Sequence, residues 1–375
     1  MTDFTDFLQH HAREAQRIRQ YRQLPTIQQE GVYVMEEGQR LLSFRSNDYL
    51  GIAHTLAHRP AQYPMAGAGA SRIISGTDAL VARVEARLAQ MKGTEAALLF
   101  GSGYLANIGI IPALVRKGDL VLMDRYAHAC MIDGVRLSGA RAMRFRHHDM
   151  THLGALLTTH RAQYRHCLIL TETIFSMDGD AAPLAELYQL AQAHGCWLMT
   201  DDAHGIGLPH LAANPAEIQM GTLSKAVGMY GGYVCGSALL IRHCINHARS
   251  MMFSTALPPA LIAGIEAALQ IMRDEPDRAM RVMSYAAHVA NALGVDAPDS
   301  PIIPVILGDN QHTLEVQAAL RTRGLSVAAI RPPTVARGTA RLRISLSAAH
   351  QPEHIEQLLD ALTAMELTSS MKYGN

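Results

Sequence analysis

Trp197-Leu198-Met199-Thr200-Asp201-Asp202-Ala203-His204, followed by Gly221-Thr222-Leu223-Ser224-Lys225, decides the reading of this chain. The apolar run before Asp201 has the length of a buried strand, and it delivers the acid at the strand's end. Lys225 follows a second apolar stretch. An acid, a histidine and a lysine on neighbouring strand ends suit pyridoxal phosphate (PLP) chemistry. That cofactor takes a lysine for its Schiff base and a carboxylate to keep its pyridine nitrogen protonated. Desolvation and nearby positive charge leave such a lysine neutral enough to react. Each residue also has an ordinary structural reading: Asp201 can cap a turn, His204 can pack in a loop, and Lys225 can sit in solvent. The joint pattern resists that reading. Small residues (Thr222, Ser224, Ala226, Gly228) surround the lysine and let a planar ring approach the backbone.

Upstream, Gly101-Ser102-Gly103-Tyr104-Leu105-Ala106 follows one strand-like run and opens a helical one. It matches G-x-G-x-x-A, and Asp124 ends the next strand about twenty residues on, as in a dinucleotide fingerprint. Free backbone N–H groups at a helix N-terminus attract any phosphate. The motif therefore says phosphate before it says nicotinamide. The Asp201/His204/Lys225 set turns it toward PLP, and a nicotinamide oxidoreductase stays as an alternative. His128, just past a strand end, can stack on a cofactor ring and move protons near neutral pH, or simply start a helix. Ser176, in Phe175-Ser176-Met177-Asp178-Gly179-Asp180, offers a hydroxyl to a cofactor oxygen, or ordinary turn chemistry. Arg331 and Arg343 present planar forks that grip carboxylates, or are solvated charges. Ser254-Thr255 is a loop with two hydroxyls and says little by itself.

The chain has 375 residues, 49% of them hydrophobic and 18% charged, which suits a globular protein with a sizeable core. Lys+Arg and Asp+Glu both number 33, so no global charge argues for nucleic acid or an anionic membrane. The nineteen histidines, among them His147 and His148, are scattered, no zinc spacing occurs, and no metal is expected. The five cysteines form no C-x-x-C pair and read as buried thiols of a reducing cytoplasm. The N-terminus is not a signal peptide. Residues 96–115 carry no charge, yet Gly101, Gly103, Asn107, Gly109 and Pro112 interrupt them. A strand, a glycine turn and a buried helix fit better than a membrane span.

From residue 96 apolar strands alternate with helices: strands at 96–100, 120–124, 142–145, 167–171, 196–201 and 231–235, helices at 104–114, 130–137, 151–160 and 184–194. Helices are also expected at 3–22 and 77–91, a small hairpin at 32–44, and long helices at 259–273 and 276–293. Alternation of this kind predicts an α/β fold, a mostly parallel central sheet flanked by helices. The segment 297–301 reads as a boundary. The expected organisation is an N-terminal helix and hairpin (1–45), a large PLP-binding domain (46–296) and a smaller C-terminal α/β domain (297–375).

At this point the chain resembles the α-oxoamine synthases, which are fold-type I PLP transferases. The matching strings are Ser46-Asn47-Asp48-Tyr49-Leu50-Gly51, Gly101-Ser102-Gly103-Tyr104, Asp124-Arg125-Tyr126-Ala127-His128, Phe175 to Asp180, Asp201 to Gly205, Gly221 to Lys225 and Phe253-Ser254-Thr255. The resemblance covers roughly residues 17–365. The stretch 329–350, with Ile330-Arg331-Pro332-Pro333-Thr334-Val335, resembles the family's biotin-synthesis branch. The resemblance implies that Lys225 holds the cofactor and takes the α-proton of L-alanine. It implies that Asp201 pairs with the ring nitrogen, that His204 and Ser176 meet the ring hydroxyl, and that His128 stacks on the ring. Gly103, Tyr104, Thr222 and a partner subunit's Ser254 or Thr255 would hold the phosphate. Arg343 would anchor the amino-acid carboxylate. Asn47, Arg331, Thr334 and an N-terminal arginine, Arg22 or Arg19, would complete the substrate contacts. The implied reaction condenses L-alanine with a pimeloyl thioester, on coenzyme A or acyl carrier protein, with loss of carbon dioxide, in a homodimer with shared sites. Besides the nicotinamide oxidoreductase, two alternatives stand: a glycine- or serine-using synthase of the same family, and a non-catalytic relative. One departure is visible: the segment between His204 and Lys225 is short, with Leu208-Pro209-His210-Leu211-Ala212-Ala213-Asn214-Pro215 where the family carries a glycine-rich loop.

Overall fold

The computed structural model describes residues 4–18, 26–56, 65–296 and 298–367. Two compact units are distinguished. One comprises the described parts of 1–47, 177–179 and 282–375; the other comprises 48–176 and 180–281.

The chain begins with helix α1 (Phe4–Arg17). A meander follows, of β1 (Ile27–Glu30), β2 (Tyr33–Glu36) and β3 (Gln39–Ser43). The expected hairpin is its β2–β3 half; β1, fully exposed, carries no alternation that would have revealed it.

The larger unit opens with α2 (Ile52–Leu56) and α3 (Ala79–Lys92). Asp78 caps α3, accepting from the N–H groups of Leu80 and Val81, and Gly93 ends it at φ +63°, a left-handed turn open to glycine. Then come β4 (Ala96–Phe100), α4 (Gly103–Leu114), β5 (Leu120–Asp124), α5 (Ala129–Ser138), β6 (Arg141–Phe145) and α6 (Met150–His160). They are followed by β7 (Cys167–Glu172), α7 (Leu184–Ala193), β8 (Trp197–Asp201), β9 (Ile218–Thr222) and β10 (Gly232–Gly236). Helices α8 (Ala238–His247), α9 (Arg249–Met252) and α10 (Pro259–Asp274) close the unit. The seven strands form one sheet in the order β4-β10-β9-β8-β7-β5-β6, parallel from β9 through β6, with β10 antiparallel to both its neighbours.

Strand alternation explains the layers. Val121, Met123, Leu168, Leu170 and Met199 enter one buried cluster with Ile110 and Met131. Leu120, Leu122, Ile169 and Leu198 enter another with Leu153 and Leu187. A sheet apolar on both faces must be covered on both. Each such side chain contributes about 1.5–3 kcal/mol by leaving water. The uncharged stretch 96–115 is β4, a turn and α4. No helix among the described residues is long and apolar enough to cross a membrane.

In the other unit, α11 (Asp277–Leu293, residues 282–293 of it), β11 (Ile302–Gly308) and α12 (Asn310–Thr322) precede β12 (Leu325–Ser326), β13 (Ala328–Ile330), β14 (Ala340–Ser345) and α13 (Pro352–Thr363). Strands β11-β14-β13 make an antiparallel sheet, while β12 pairs in parallel with β3 and extends the N-terminal meander.

Candidate active site

Asp201 ends β8, and the neighbouring β9 ends at Thr222, three residues before Lys225. The parallel pairing of these strands sets Asp201 opposite Met220, so the acid and the lysine loop leave the sheet at the same edge. His204 sits in the turn after β8. Its Nε2 lies 2.7 Å from Lys225 Nζ, and its Nδ1 lies 2.7 Å from Tyr49 Oη. With Lys225 donating, Nε2 accepts, and the proton on Nδ1 goes to Tyr49. A hydroxyl outside the lysine loop thus sets the tautomer.

Asp201 is buried at 4% exposure. One carboxyl oxygen accepts from Ala203 N–H (2.9 Å), the other from Asn107 Nδ2 (2.9 Å). Burial pushes its carboxyl up, while Lys225, Asn107 and the Ala203 N–H pull it down. Asn107 also donates to Cys130 Sγ (3.0 Å), which lies 2.8 Å from His128 Nδ1. The structure therefore joins Asp201 to His128 through Asn107 and Cys130. His128 caps α5, accepting at Nδ1 from Cys130 N–H. Desolvation holds its pKa below the ordinary imidazole value, against the pull of Asp201 and with the help of Lys225. Glu172, opposite Asp201 on β7, is wholly buried, and burial with the nearby Asp201 raises it well above the usual carboxylate range.

The glycine turn opens a helix, as the sequence reading expects. Ser102 caps α4, leaving the first N–H groups of a twelve-residue helix at Gly103 and Tyr104. A Cβ on Gly103 would lie 3.1 Å from Thr222 Cβ, a tight contact that glycine avoids. Thr222 Oγ1 lies 2.8 Å from Ser224 Oγ and donates to the Gly231 carbonyl (2.9 Å). The dinucleotide alternative loses its geometry here. Its two strands, β4 and β5, are separated by four others, whereas the fingerprint needs adjacent strands of one βαβ unit.

These residues fit the PLP that the resemblance implies. A buried acid whose hydrogen-bond donors are all neutral calls for a cation such as a pyridinium nitrogen. The start of α4, with its first N–H groups beside Thr222, has the chemistry to take a phosphate. Ser176, in the loop after β7, is half-buried. Ser254 and Thr255 line a separate small cavity with Gly101 and Arg72. The short segment after His204 lines an apolar cavity of about 360 Å³ together with Arg87, Lys92, Leu269 and Met272.

In the other unit Arg343, on β14, is 5% exposed and donates through Nη1 to Asn47 Oδ1 (3.0 Å) and Ser345 Oγ (2.8 Å). Two of the expected substrate residues are thus brought together. Arg331 and Thr334 follow β13, joined by Thr334 N–H to the Arg331 carbonyl (3.1 Å). Arg22 and Arg19 lie outside the described residues. Four residues escaped the sequence reading as site members: Tyr49, Asn107, Cys130 and Glu172. Asn107 and Cys130 sit on helices whose sequence reads as core, and only the strand-end position of Glu172 signalled it.

The aminotransferase class I and II family model matches residues 39–362. The chain is 49% identical over 333 residues to the 8-amino-7-oxononanoate synthase of Methylorubrum populi, covering 88% of this chain and 86% of that protein. Among solved structures it is similar to the serine palmitoyltransferase of Sphingomonas wittichii, at 27% identity and a TM-score of 0.88 over 98% of this chain and 99% of the other. A serine palmitoyltransferase variant from S. paucimobilis with bound PLP–myriocin aldimine is also similar, at 27% identity and a TM-score of 0.87 over 96% of each chain.

Proposed function

The chain belongs to the aminotransferase class I and II family, in its α-oxoamine synthase branch, and from that premise we propose that it condenses L-alanine with a pimeloyl thioester. The products are 8-amino-7-oxononanoate, carbon dioxide and the free thiol. The enzyme is a PLP-dependent acyltransferase. The observation that carries the reading is the Tyr49–His204–Lys225 chain beside the buried Asp201.

Bound PLP supplies an electron sink for the carbanion of the amino acid. Lys225 Nζ would hold the cofactor and accept the proton lost from the alanine Cα. His204 and Tyr49 fix where that nitrogen points. Asp201, anchored by Asn107, keeps a positive charge on the ring nitrogen. His128, with Nδ1 accepting from the Cys130 N–H, would cover the ring and donate from its other ring nitrogen to the acyl carbonyl oxygen. Gly103, Tyr104 and Thr222 grip the phosphate, and Ser176 bonds the ring hydroxyl. Arg343, with Asn47, grips the alanine carboxylate. Arg331 and Thr334 meet the acyl chain, with Arg22 or Arg19 at its far carboxylate. The working form is a homodimer in which Ser254 or Thr255 of one protomer completes its partner's phosphate site.

The test is product analysis. Purified protein loaded with PLP is mixed with pimeloyl-CoA and, in parallel, L-alanine, glycine or L-serine. Fast release of 8-amino-7-oxononanoate with alanine supports the reading. Turnover with glycine or serine and none with alanine sinks it and leaves another α-oxoamine synthase.

A further inference from the structure

The ends of β5 and β6 and the loop after β7 gather four side chains that the condensation does not use. His147 Nδ1 lies 3.0 Å from Asp124 Oδ1, and its Nε2 lies 2.8 Å from Asp180 Oδ2. His148 Nδ1 lies 3.4 Å from the same Asp180 oxygen. The two imidazoles stack with centroids 3.8 Å apart, and Phe175 meets His147 edge-on at 4.5 Å. The second carboxylate oxygen of Asp180, Oδ1, is a buried atom with no hydrogen-bond partner among the described residues. His148 is held at φ +53°, a left-handed conformation uncommon for a residue with a side chain.

We propose that His147, His148 and Asp180 bind a divalent transition metal, Zn²⁺ by the chemistry of the donors, at a site separate from the cofactor. One ligand atom from each of the three lies within 4.8 Å of the other two. Two imidazoles and one carboxylate are a donor set for Zn²⁺ with an open position for water. Tetrahedral bonds of about 2.1 Å place neighbouring donor atoms about 3.4 Å apart. The His148–Asp180 separation already has that value. The His147–Asp180 separation must open by about 0.6 Å, as the metal takes the place of the hydrogen between Nε2 and Oδ2 and that proton leaves to solvent. Asp124 then accepts from Nδ1–H of His147 and orients the ligand, the usual outer partner of a metal-bound imidazole. Two carboxylates balance the two positive charges. The side chains of His147, His148 and Asp180 are 18%, 29% and 33% exposed, so the ion has a way in. The sequence hides this site, because the two histidines are adjacent and the third ligand comes only after the next strand.

The test is equilibrium dialysis of the PLP-loaded protein against Zn²⁺ on the order of 10 µM, with metal counted by mass spectrometry and Co²⁺ used for its visible absorption. His148→Asn keeps a residue that tolerates the left-handed backbone, so it folds; Asp180→Asn is the second variant. Wild type is expected to hold one more equivalent of Zn²⁺ than His148→Asn, with affinity falling at least about tenfold. Its tetrahedral Co²⁺ band is lost in either variant. Zn²⁺ raises Tm in wild type alone. The exposed pair His243 and His247, whose rings are 4.4 Å apart, is present in every variant and cancels. Equal Zn²⁺ binding by wild type and His148→Asn, or none by wild type, overturns the proposal.

Discussion

Two adjacent acids in the larger unit meet opposite fates. Asp201 faces the pocket of Lys225, where its hydrogen-bond donors are the side-chain amide of Asn107 and the Ala203 N–H. Asp202, one residue on, has its cation built in. Lys92 Nζ lies 2.6 Å from Asp202 Oδ2, Thr173 donates to Oδ1 at 2.8 Å, and Tyr233 closes the group. Neither partner of that ion pair exceeds 7% exposure. Both carboxyls lose hydration, but only Asp202 has a cation in direct hydrogen-bond contact; Lys225 acts on Asp201 through space. A structural acid comes with its counter-charge; an acid kept for a ligand is surrounded by neutral donors and waits.

The comparison breaks most directly at Asp201. Asp201→Asn is expected to lower turnover by about 10³-fold, or ~4 kcal/mol of transition-state stabilisation, with a urea midpoint close to wild type. A mutant that keeps its activity would mean that Asp201 holds no cationic ring. The mirror experiment is Lys92→Met, which strands the Asp202 charge. Its expected cost is about 3–5 kcal/mol of folding stability, with kcat per folded molecule unchanged; a loss of kcat without a loss of stability would merge the two roles.

A third buried group sharpens the rule. His350 in the smaller unit accepts at Nδ1 from Ser347 N–H (3.1 Å), lies at Nε2 3.1 Å from the Ser43 carbonyl, and has no carboxylate beside it in these contacts. Burial pushes its pKa down to about 4. Above pH ~6.5 the folded and unfolded chains both carry it neutral, and it costs nothing. As pH falls from there toward 4, the unfolded chain takes up a proton that the folded chain refuses. Stability then drops, by at most about 3 kcal/mol. Urea titrations from pH 7.5 to 4.5 should show a smaller decline for His350→Gln than for wild type; parallel curves would remove His350 from the account. The smallest effect is reserved for Tyr49→Phe. Losing the tautomer-setting hydroxyl should reduce kcat by about tenfold, near 1.4 kcal/mol, with little change in KM for the thioester. An equal rise in KM would make Tyr49 a packing residue.

Much of the larger unit was legible beforehand because its signals are local. The strands at 96–100 and 120–124 coincide with β4 and β5, and the helices start and stop within a residue or two of their caps. The glycine at 103 and the small residues around Lys225 are local signals of the same kind, compatible with a phosphate and a flat ring. Helices α8 and α9 went unread, their pattern lost in a stretch without strong punctuation.

Sequence by itself determined the strand–helix alternation, the acid, histidine and lysine at strand ends, and the glycine turn, because each depends on neighbours within a few residues. Tertiary structure alone decided the rest. It set β10 between β4 and β9, and it paired β12 with β3 across most of the chain. It chose Asn107 to hold Asp201 and Tyr49 to hold His204, contacts 94 and 155 residues apart in sequence. Such pairs carry no mark in either segment, because a hydrogen bond between distant residues exists only after the sheet has brought their strands and helices to one edge.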